Sequence, residues 1–334
     1  MNNPKKILKL FCAIVSLIIL LLLVDFSKLY LSFSKIKLID LAALALISWI
    51  MIFISSLKWR ILLGEDVRIG YLMRLYTISY FINLFAPSVA GGDLARSYTL
   101  GKNINNQAGA LSATYLERLT GFVTMVALAF IFTICGVSVA AGLELSVYGV
   151  TLFAAALVVA SFSRIPFDTL RMISLPILRS LMLRSPILRS WKFEGFVLKA
   201  SAFYDKIYGN FQYLRSNKRA LVLTLALSLC YHVIAVVNTY VAGVAIGWEA
   251  DNFWQLFVVV PLILTVASVP ISPNGIGITE GAFVYFLTKI GATHEQSLSI
   301  ALLLRAKSVV LAMLGYFLML YAAPRENVLG SKQC

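Results

Sequence analysis

Residues 261–282 read PLILTVASVPISPNGIGITEGA, and this stretch decides what kind of fold the chain can have. The stretch is apolar at its start, and its middle contains the helix-breaking residues Pro270, Pro273, Asn274, Gly275 and Gly277. Unwound backbone inside a bilayer survives only where protein or a water-filled cavity satisfies its amide and carbonyl groups. Helices broken in this way commonly line binding sites in membrane proteins. The stretch therefore predicts an interrupted membrane helix beside a binding site.

The composition of the whole chain supports a membrane location. Hydrophobic residues make up 60% of the 334 residues and charged residues 13%, and the mean hydropathy is +0.86. A soluble domain carries about a quarter charged residues, so this composition excludes a soluble globular enzyme. The net charge of +14 comes from basic residues at membrane edges, which favours anionic membrane lipids rather than nucleic acid as partners. We predict an all-α polytopic bundle forming a single membrane domain, residues 1–334.

The hydrophobic segments predict six membrane spans. A span needs about 20 apolar residues, and the segments that qualify are 7–24, 38–57, 108–136, 147–163, 220–247 and 298–322. Two further apolar segments, 71–101 and 253–290, are interrupted at 87–92 and 270–277. Each is either a re-entrant hairpin or a pair of tilted spanning helices, which would add two crossings per hairpin to the six spans.

The distribution of Lys and Arg predicts the orientation in the membrane. Residues 164–219 contain eleven basic residues against three acidic ones, and short basic loops stay in the cytosol. This basic elbow, which includes an amphipathic pattern at 193–211, is expected either to lie on the inner membrane surface or to pack on the bundle. It separates a first half, 38–163, from a second half, 220–323. We expect both termini to be cytosolic, in the cytoplasmic membrane of a prokaryote.

Two of the broken stretches share a pattern that indicates an internal repeat. The sequence separation between Asp93 and Glu280 equals the separation between Arg118 and Arg305. If the hairpins are re-entrant, they enter from opposite sides, and the repeat is an inverted one. Inverted repeats are the architecture of many secondary transporters. Two coincident residues can also arise by chance, so the sequence leaves both explanations open.

The polar residues of the two broken stretches suit an anionic ligand. A helix that restarts inside the membrane presents free amide groups and a positive dipole end. Glycine allows backbone to approach a ligand closely, Asp and Thr are good N-caps, and Arg binds phosphate oxygens in pairs. The candidate headgroup-binding residues are Asn83, Gly91, Gly92, Asp93, Arg96, Glu117, Arg118, Asn274, Gly275, Gly277, Thr279, Glu280, Arg305 and Lys307; the hairpin breaks are Pro87, Pro270 and Pro273.

Each candidate also has a purely structural explanation. Arg118 and Arg305 each precede an apolar stretch that is nearly a full span, so both can lie at an interface with their charge reaching water. Asp93 and Glu280 can be helix caps or ion-pair partners, or they can bind a coupling proton. Asn238 is expected to form hydrogen bonds with backbone, and His232 is expected to be a packed polar group within its span.

Four sequence runs resemble one known family. The runs FINLFAPSVAGGDLAR (81–96), SATYLERLTG (112–121), PISPNGIGITEGAF (270–283) and ALLLRAKSVV (301–310) are similar to the lysylphosphatidylglycerol synthase transmembrane-region family of flippase-like proteins. The resemblance implies a stand-alone flippase without the aminoacyl-transferase domain of the bifunctional members. It also marks as site positions Asn83, Pro87, Gly91, Gly92, Asp93, Arg96, Glu117, Arg118, Pro273, Asn274, Gly275, Gly277, Glu280 and Arg305.

The expected function is therefore transport of an anionic lipid or lipid-linked saccharide between leaflets by alternating access. One alternative is a membrane-embedded enzyme that modifies a lipid headgroup. The other is a scaffold that recruits a lipid-modifying or glycan-assembly enzyme through the basic elbow. The sequence contains no hydrolase, zinc-protease or P-loop motif, so we expect neither catalysis nor a cofactor or metal.

Overall fold

The computed structural model describes residues 31, 33–86, 91–137, 143–162, 209, 212, 216–269 and 272–321, and the regular elements within them are helices. Two short 3₁₀ turns, Phe253–Gln255 and Pro273–Gly275, flank the seventh helix. Pro87, Pro270, the expected span 7–24 and most of the elbow 164–219 lie outside the described residues. In chain order the α-helices are α1 Leu38–Leu63, α2 Ile69–Phe85, α3 Gly91–Asn103, α4 Gln107–Ile134, α5 Leu143–Phe162, α6 Lys218–Ala245, α7 Leu256–Ala267, α8 Ile278–Thr288 and α9 His294–Leu320.

The helices confirm a polytopic membrane bundle. Within the described residues, α1, α4, α6 and α9 are long and apolar enough to cross a bilayer, and α5 occupies the expected span 147–163. The first of these differs from expectation, because α1 continues past residue 57 to Leu63. Lys58 lies inside the helix because its ammonium group has protein partners, the Glu117 carbonyl at 2.9 Å and the Ser228 hydroxyl at 3.0 Å.

Helices α1 and α6 pack side by side and run antiparallel. At one end of the bundle, Gly64 and Glu65 line a surface groove together with Asn217, the residue before α6. At the other end, a Cβ atom on Gly247 would lie 2.9 Å from the Nζ of Lys35, which precedes α1. We name these the Glu65 end and the Lys35 end of the bundle.

Both broken segments are helical hairpins whose chain enters and leaves at the same end of the bundle. Helices α2 and α3 pack on each other, and the chain then returns to its starting end, where Asn106 donates to Glu65 at 3.0 Å. Helices α7 and α8 also pack together, and a Cβ on Gly291 beyond α8 would lie 3.5 Å from Asp251 before α7. With 11 to 17 residues each, the four helices are at most about 26 Å long, less than the ~30 Å of the hydrocarbon layer.

The hairpins enter from opposite ends and belong to an inverted repeat. The first begins at the Glu65 end, and the second begins at the Lys35 end, where α6 stops. Helices α2, α3 and α4 correspond to α7, α8 and α9. Each helix of the first set starts the same number of residues before its counterpart as Asp93 lies before Glu280. The helix contacts follow the same correspondence. Helix α2 of the first half packs on α9 of the second, and α7 of the second half packs on α4 of the first. The shared spacing of Asp93 and Glu280 is therefore part of a repeat and not a coincidence.

Local sequence explains where the long helices begin and how they approach each other. Asn106, Asn217 and Thr293 each accept a hydrogen bond from the third residue of α4, α6 and α9, which are N-cap contacts. Gly315 in α9 lies so close to α2 that an added Cβ would overlap the Thr77 carbonyl. Small residues commonly allow such close approach between membrane helices. The Pro273–Gly275 turn at the tip of the second hairpin also packs on α2 of the first hairpin.

Candidate functional site

The tip of the first hairpin is held by a side-chain cap. Asn83, near the end of α2, accepts a hydrogen bond at 2.7 Å from the amide of Gly92 at the start of α3. A Cβ on Gly92 would lie 2.5 Å from the Ser79 carbonyl, and one on Gly91 would overlap Ala86. These three candidates therefore shape the tip, and the closeness of α3 to α2 requires both glycines.

Arg96 is buried at the centre of the first half. Its guanidinium donates to Glu117 at 2.7 Å and to Asp93 at 3.1 Å. Its Cζ lies 4.4 Å and 4.0 Å from the ring centroids of Trp59 and Tyr76, which meet edge to face. Only 2% of Arg96 is exposed, so this candidate does not face an open site in this conformation.

Arg118 lies beside this buried pair but faces outward. Its Nε and Nη2 both contact one oxygen of Asp93, at 2.7 Å and 2.6 Å. The other oxygen of Asp93 accepts from Arg96. The Arg118 side chain is 60% exposed, whereas that of Asp93 is 13% exposed. Asp93 thus holds one edge of the Arg118 guanidinium and leaves the rest open to a ligand.

Lys58 completes this group from the opposite side of α4. Its ammonium donates to the Glu117 carbonyl and to Ser228 in α6. One turn further along α4, the Gly121 carbonyl accepts from the Nε2 of His232 at 2.8 Å. Lys58 is 6% exposed and His232 is 7% exposed. We call Lys58, Asp93, Arg96, Glu117 and Arg118 the first cluster.

The second hairpin forms its tip with backbone in the left-handed region. Asn274, Gly275 and Gly277 have φ angles of 49°, 66° and 81°, which explains the two glycines. The Gly277 amide donates to Glu280 at 2.7 Å, so Glu280 caps α8. Thr279 packs against Gly275, where an added Cβ would lie 2.6 Å from its hydroxyl. Pro273 begins the 3₁₀ turn of the tip.

Arg305 and Lys307 on α9 face this tip and α6. Arg305 forms an ion pair with Glu280, which is 1% exposed, and its Nη1 donates to the Asn274 carbonyl at 3.4 Å. Lys307 donates to the Asn238 side chain on α6 at 2.8 Å, so Asn238 binds a lysine rather than backbone. The Arg305 side chain is 22% exposed. We call Glu280, Arg305 and Lys307 the second cluster.

The two arginines lie deep along their helices. Arg118 is eleven residues from the start of α4, and Arg305 is eleven residues from the start of α9. At 1.5 Å per residue each arginine lies about 16 Å along its helix axis from the first residue. Both also pair with a carboxylate 25 residues earlier in the chain. Both arginines are therefore paired with a carboxylate well inside their helices.

The surroundings of the two acid–arginine pairs differ. In the first half the neighbours are aromatic and charged, whereas the corresponding positions in the second half belong to or pack on a buried apolar core. The repeat pairs each position of the first half with one of the second. The residues equivalent to Trp59, Tyr76, Arg96 and Glu117 are Ile246, Ile263, Phe283 and Leu304. The first cluster is therefore the more highly charged site.

Sequence reasoning did not select Lys58, Trp59 or Tyr76. The apolar run ends at residue 57, which places Lys58 at the edge of the expected span. A lysine followed by five more helical residues inside an apolar helix is a signal that could have identified it. No comparable local signal pairs Trp59 and Tyr76 with Arg96, because that contact joins three helices.

Comparison with known proteins identifies one family. The family model described as "Lysylphosphatidylglycerol synthase TM region" matches residues 7–315, which include both hairpins and both clusters. No curated protein and no solved structure matches the chain significantly. The resemblance seen in the four sequence runs is thereby confirmed over most of the chain.

Proposed function

We propose that this chain, which belongs to the lysylphosphatidylglycerol synthase transmembrane-region family, moves an anionic lipid between the two leaflets by alternating access. Family membership and the four long apolar helices make it a multi-pass membrane protein of lipid-related processes. Beyond this, we propose that the protein transports the lipid and that it binds the lipid by a phosphate-bearing headgroup.

The observation that carries the proposal is the exposure of Arg118 within the candidate membrane span α4. An arginine in the hydrocarbon layer normally faces a water-filled cavity or a partner, because a charged side chain there is costly. Asp93 fixes the Nε edge of Arg118, and 60% of the side chain stays open. A guanidinium held in this way is ready to donate to phosphate oxygens. Arg305, 22% exposed in the opposed half, supplies a second position of the same type.

The charges of the two clusters also favour an anionic ligand. The first cluster has three basic side chains, Lys58, Arg96 and Arg118, against two carboxylates, Asp93 and Glu117. In the second cluster, Arg305 is balanced by Glu280, whereas Lys307 donates to the neutral side chain of Asn238. Excess charge in a low-dielectric interior is unfavourable unless it is compensated. One phosphodiester would neutralise the first cluster.

The arrangement of the hairpins suits alternating access. They enter from opposite ends, their tips approach, and inverted repeats of this kind are typical of carriers that expose one site to either side in turn. In this mechanism the headgroup passes between Arg118 and Arg305 while the lipid tails remain in the bilayer. The basic elbow orients the carrier with the Glu65 end toward the cytosol, and the first cluster then receives lipid from the inner leaflet.

The test is a leaflet-exchange assay on the purified protein in liposomes. A fluorescent anionic glycerophospholipid is placed in both leaflets, and a membrane-impermeant quencher reports how fast inner-leaflet lipid reaches the outside. We expect Arg118→Gln to slow exchange about tenfold or more, because a charge-assisted hydrogen bond contributes roughly 1.5–3 kcal/mol. Arg60→Gln is the matched control, since Arg60 forms an exposed ion pair with Asp66 outside both clusters.

Two outcomes would contradict transport of this type. One is equal exchange by wild type and Arg118→Gln, and the other is no acceleration over protein-free liposomes. Mass spectrometry of the same lipids distinguishes the enzyme alternative, because a new covalent species would indicate headgroup modification. Transport redistributes the lipid between leaflets without changing its mass.

A further inference from the structure

We propose that Tyr80 and Tyr231 are headgroup-binding residues: their hydroxyl groups, together with the guanidinium of Arg118, donate to the phosphate oxygens of one lipid. This inference rests on the proposed function and deepens it, because it names further binding residues and the part of the headgroup that they contact. It extends the binding site from α4 to the two helices beside it, α2 and α6.

Two contacts fix the register of α6 against α4 next to the exposed arginine. The ammonium of Lys58 donates both to the Ser228 hydroxyl on α6 and to the Glu117 carbonyl on α4, at 3.0 Å and 2.9 Å. One turn further along both helices, the Nε2 of His232 lies 2.8 Å from the Gly121 carbonyl. The segment 228–232 of α6 therefore lies beside the turn of α4 that carries the arginine.

Tyr231 approaches Arg118 from this segment of α6. Its ring meets that of His232 edge to face, with the centroids 5.4 Å apart, and Tyr231 and Arg118 lie within electrostatic reach of each other. The Tyr231 hydroxyl has no hydrogen-bond partner among the described residues, and it is not sealed from solvent. A phenol can donate one hydrogen bond. The donor of Tyr231 is therefore unused beside an exposed guanidinium.

Tyr80 approaches the same arginine from α2. A Cβ on Gly92 of α3 would lie 2.5 Å from the carbonyl of the residue before Tyr80, and the residue after this glycine is Asp93, which holds Arg118. Tyr80 lies within electrostatic reach of Arg118 and of Tyr231. Its hydroxyl also lacks a partner in the described part of the chain and is open to solvent. Two unused donors thus flank one guanidinium.

The two hydroxyls differ from the polar groups around them, which are satisfied within the protein. Tyr76, one turn earlier on α2, donates to the Ser55 carbonyl at 3.2 Å. Each oxygen of Asp93 accepts from an arginine. A polar group inside a membrane helix is costly and normally finds a partner. The acceptor for Tyr80 and Tyr231 must therefore come from outside the protein, as water in the empty site and as ligand in the loaded one.

The chemistry of the site matches phosphate oxygens. Arg118, Tyr80 and Tyr231 present donors from three helices, whereas the carboxylate beside them, that of Asp93, is already bonded to two arginines. A phosphodiester has two non-bridging oxygens that share one negative charge and only accept. Hydrogen bonds to such an ionised acceptor are stronger than those between neutral groups. A headgroup ammonium would find no unbonded carboxylate at this position.

The experiment measures binding of short-chain phosphatidylglycerol, a singly charged phosphodiester, to the purified full-length protein in detergent by calorimetry. Tyr80→Phe and Tyr231→Phe should each weaken binding about tenfold, because each removes one hydrogen bond to a charged group. Tyr285→Phe is the matched control: Tyr285 is exposed on α8 beside Lys289, and this variant should bind as wild type does.

Inorganic phosphate, titrated in place of the lipid, distinguishes the source of the phosphate group. Weaker binding of inorganic phosphate than of phosphatidylglycerol supports a lipid headgroup as the ligand. Equal or tighter binding of inorganic phosphate would overturn the assignment of these tyrosines to a lipid.

Thermal unfolding of the empty protein separates a ligand contact from a structural role. Because neither hydroxyl has a partner in the described residues, Tyr80→Phe and Tyr231→Phe should keep the apparent Tm within about 1 °C of wild type. Tyr76→Phe loses a hydrogen bond to the Ser55 carbonyl and should lower the Tm by about 2 °C. A loss of that size in either of the other two variants would make its hydroxyl structural and overturn the inference.

A double-mutant cycle tests whether the tyrosines and Arg118 bind the same phosphate. In the Arg118→Gln background, Tyr231→Phe should weaken binding by less than about threefold, because residues that share a ligand group are coupled. A full tenfold loss in both backgrounds would show independent contacts and overturn the shared site.

The binding results also separate this inference from the proposed function. No binding of phosphatidylglycerol by wild type would contradict the proposed headgroup site and this inference with it. Binding by wild type with unchanged affinity in Tyr80→Phe and Tyr231→Phe would overturn the role of the two tyrosines and leave transport standing.

Discussion

The buried pair of Arg96 and Glu117 allows a quantitative prediction, because the second half of the protein shows what can replace it. The two side chains meet at 2.7 Å, and Arg96 is 2% exposed and Glu117 7% exposed. Removing one partner of a buried ion pair leaves an unpaired charge and costs about 3–5 kcal/mol. Arg96→Phe and Glu117→Leu, made singly, should each destabilise the protein by that amount.

The double variant should behave very differently from the sum of the two. It installs the residues found at Phe283 and Leu304, and replacing a whole buried ion pair with apolar groups is often neutral for stability. We expect the double variant to cost less than about 2 kcal/mol, which gives a coupling energy of at least ~4 kcal/mol. Asp93 and Arg118 remain paired with each other and keep the cluster closed.

The assay is thermal unfolding in detergent, followed by tryptophan fluorescence at one scan rate. At roughly 2 °C per kcal/mol for a chain of this size, each single variant should lower the apparent Tm by about 6 °C or more. The double variant should fall within about 4 °C of wild type. Glu249→Gln, at an exposed loop position, is the control and should shift it by about 1 °C or less. Additive losses in the double variant would refute the reasoning.

Three further predictions concern the hairpin and helix contacts, and the same unfolding assay tests them. Gly92→Ala should destabilise by roughly 1–3 kcal/mol, since the new Cβ would lie 2.5 Å from a carbonyl of α2. Gly315→Ala should destabilise by at least as much, by forcing α9 away from α2. Asn83→Ala should lose about 1 kcal/mol of capping energy. Gly70→Ala is the control, because a Cβ on Gly70 would have no atom within 4 Å, and it should not destabilise the protein. If Gly70→Ala destabilised the protein as much as Gly92→Ala, the steric argument would be contradicted.

Much of the fold could be predicted because it depends on local and periodic features. Apolar runs of sufficient length gave the spans, and prolines and glycines gave the interruptions. The common spacing of Asp93 with Glu280 and of Arg118 with Arg305 indicated the repeat, which the starting points of three helix pairs then confirmed. The return of the first hairpin to its starting end is shown by the contact of Asn106 with Glu65, which local sequence does not encode.

The candidate site was harder to predict, because partner choice is a long-range property. Arg96 looked like a ligand in the sequence, yet a tryptophan from α1 and a tyrosine from α2 enclose it. Asn238 looked like a backbone partner, yet it binds Lys307. Lys58 was missed because helix α1 extends six residues beyond the apolar run used to define the span. In each case the deciding contact comes from a helix distant in sequence.

Comparing the two halves of the inverted repeat distinguishes the residues that both hairpins share from those present only in the first cluster. Both halves contain an acid in the first turn of the restarting helix and an arginine 25 residues later, so this pair belongs to the shared architecture. Arg96, Glu117 and Lys58 have no counterparts: the equivalent positions are Phe283, Leu304 and Ala245, and a hairpin folds around them. Buried charges are weak contributors to stability, so their presence in one half only is explained better by a charged ligand than by folding.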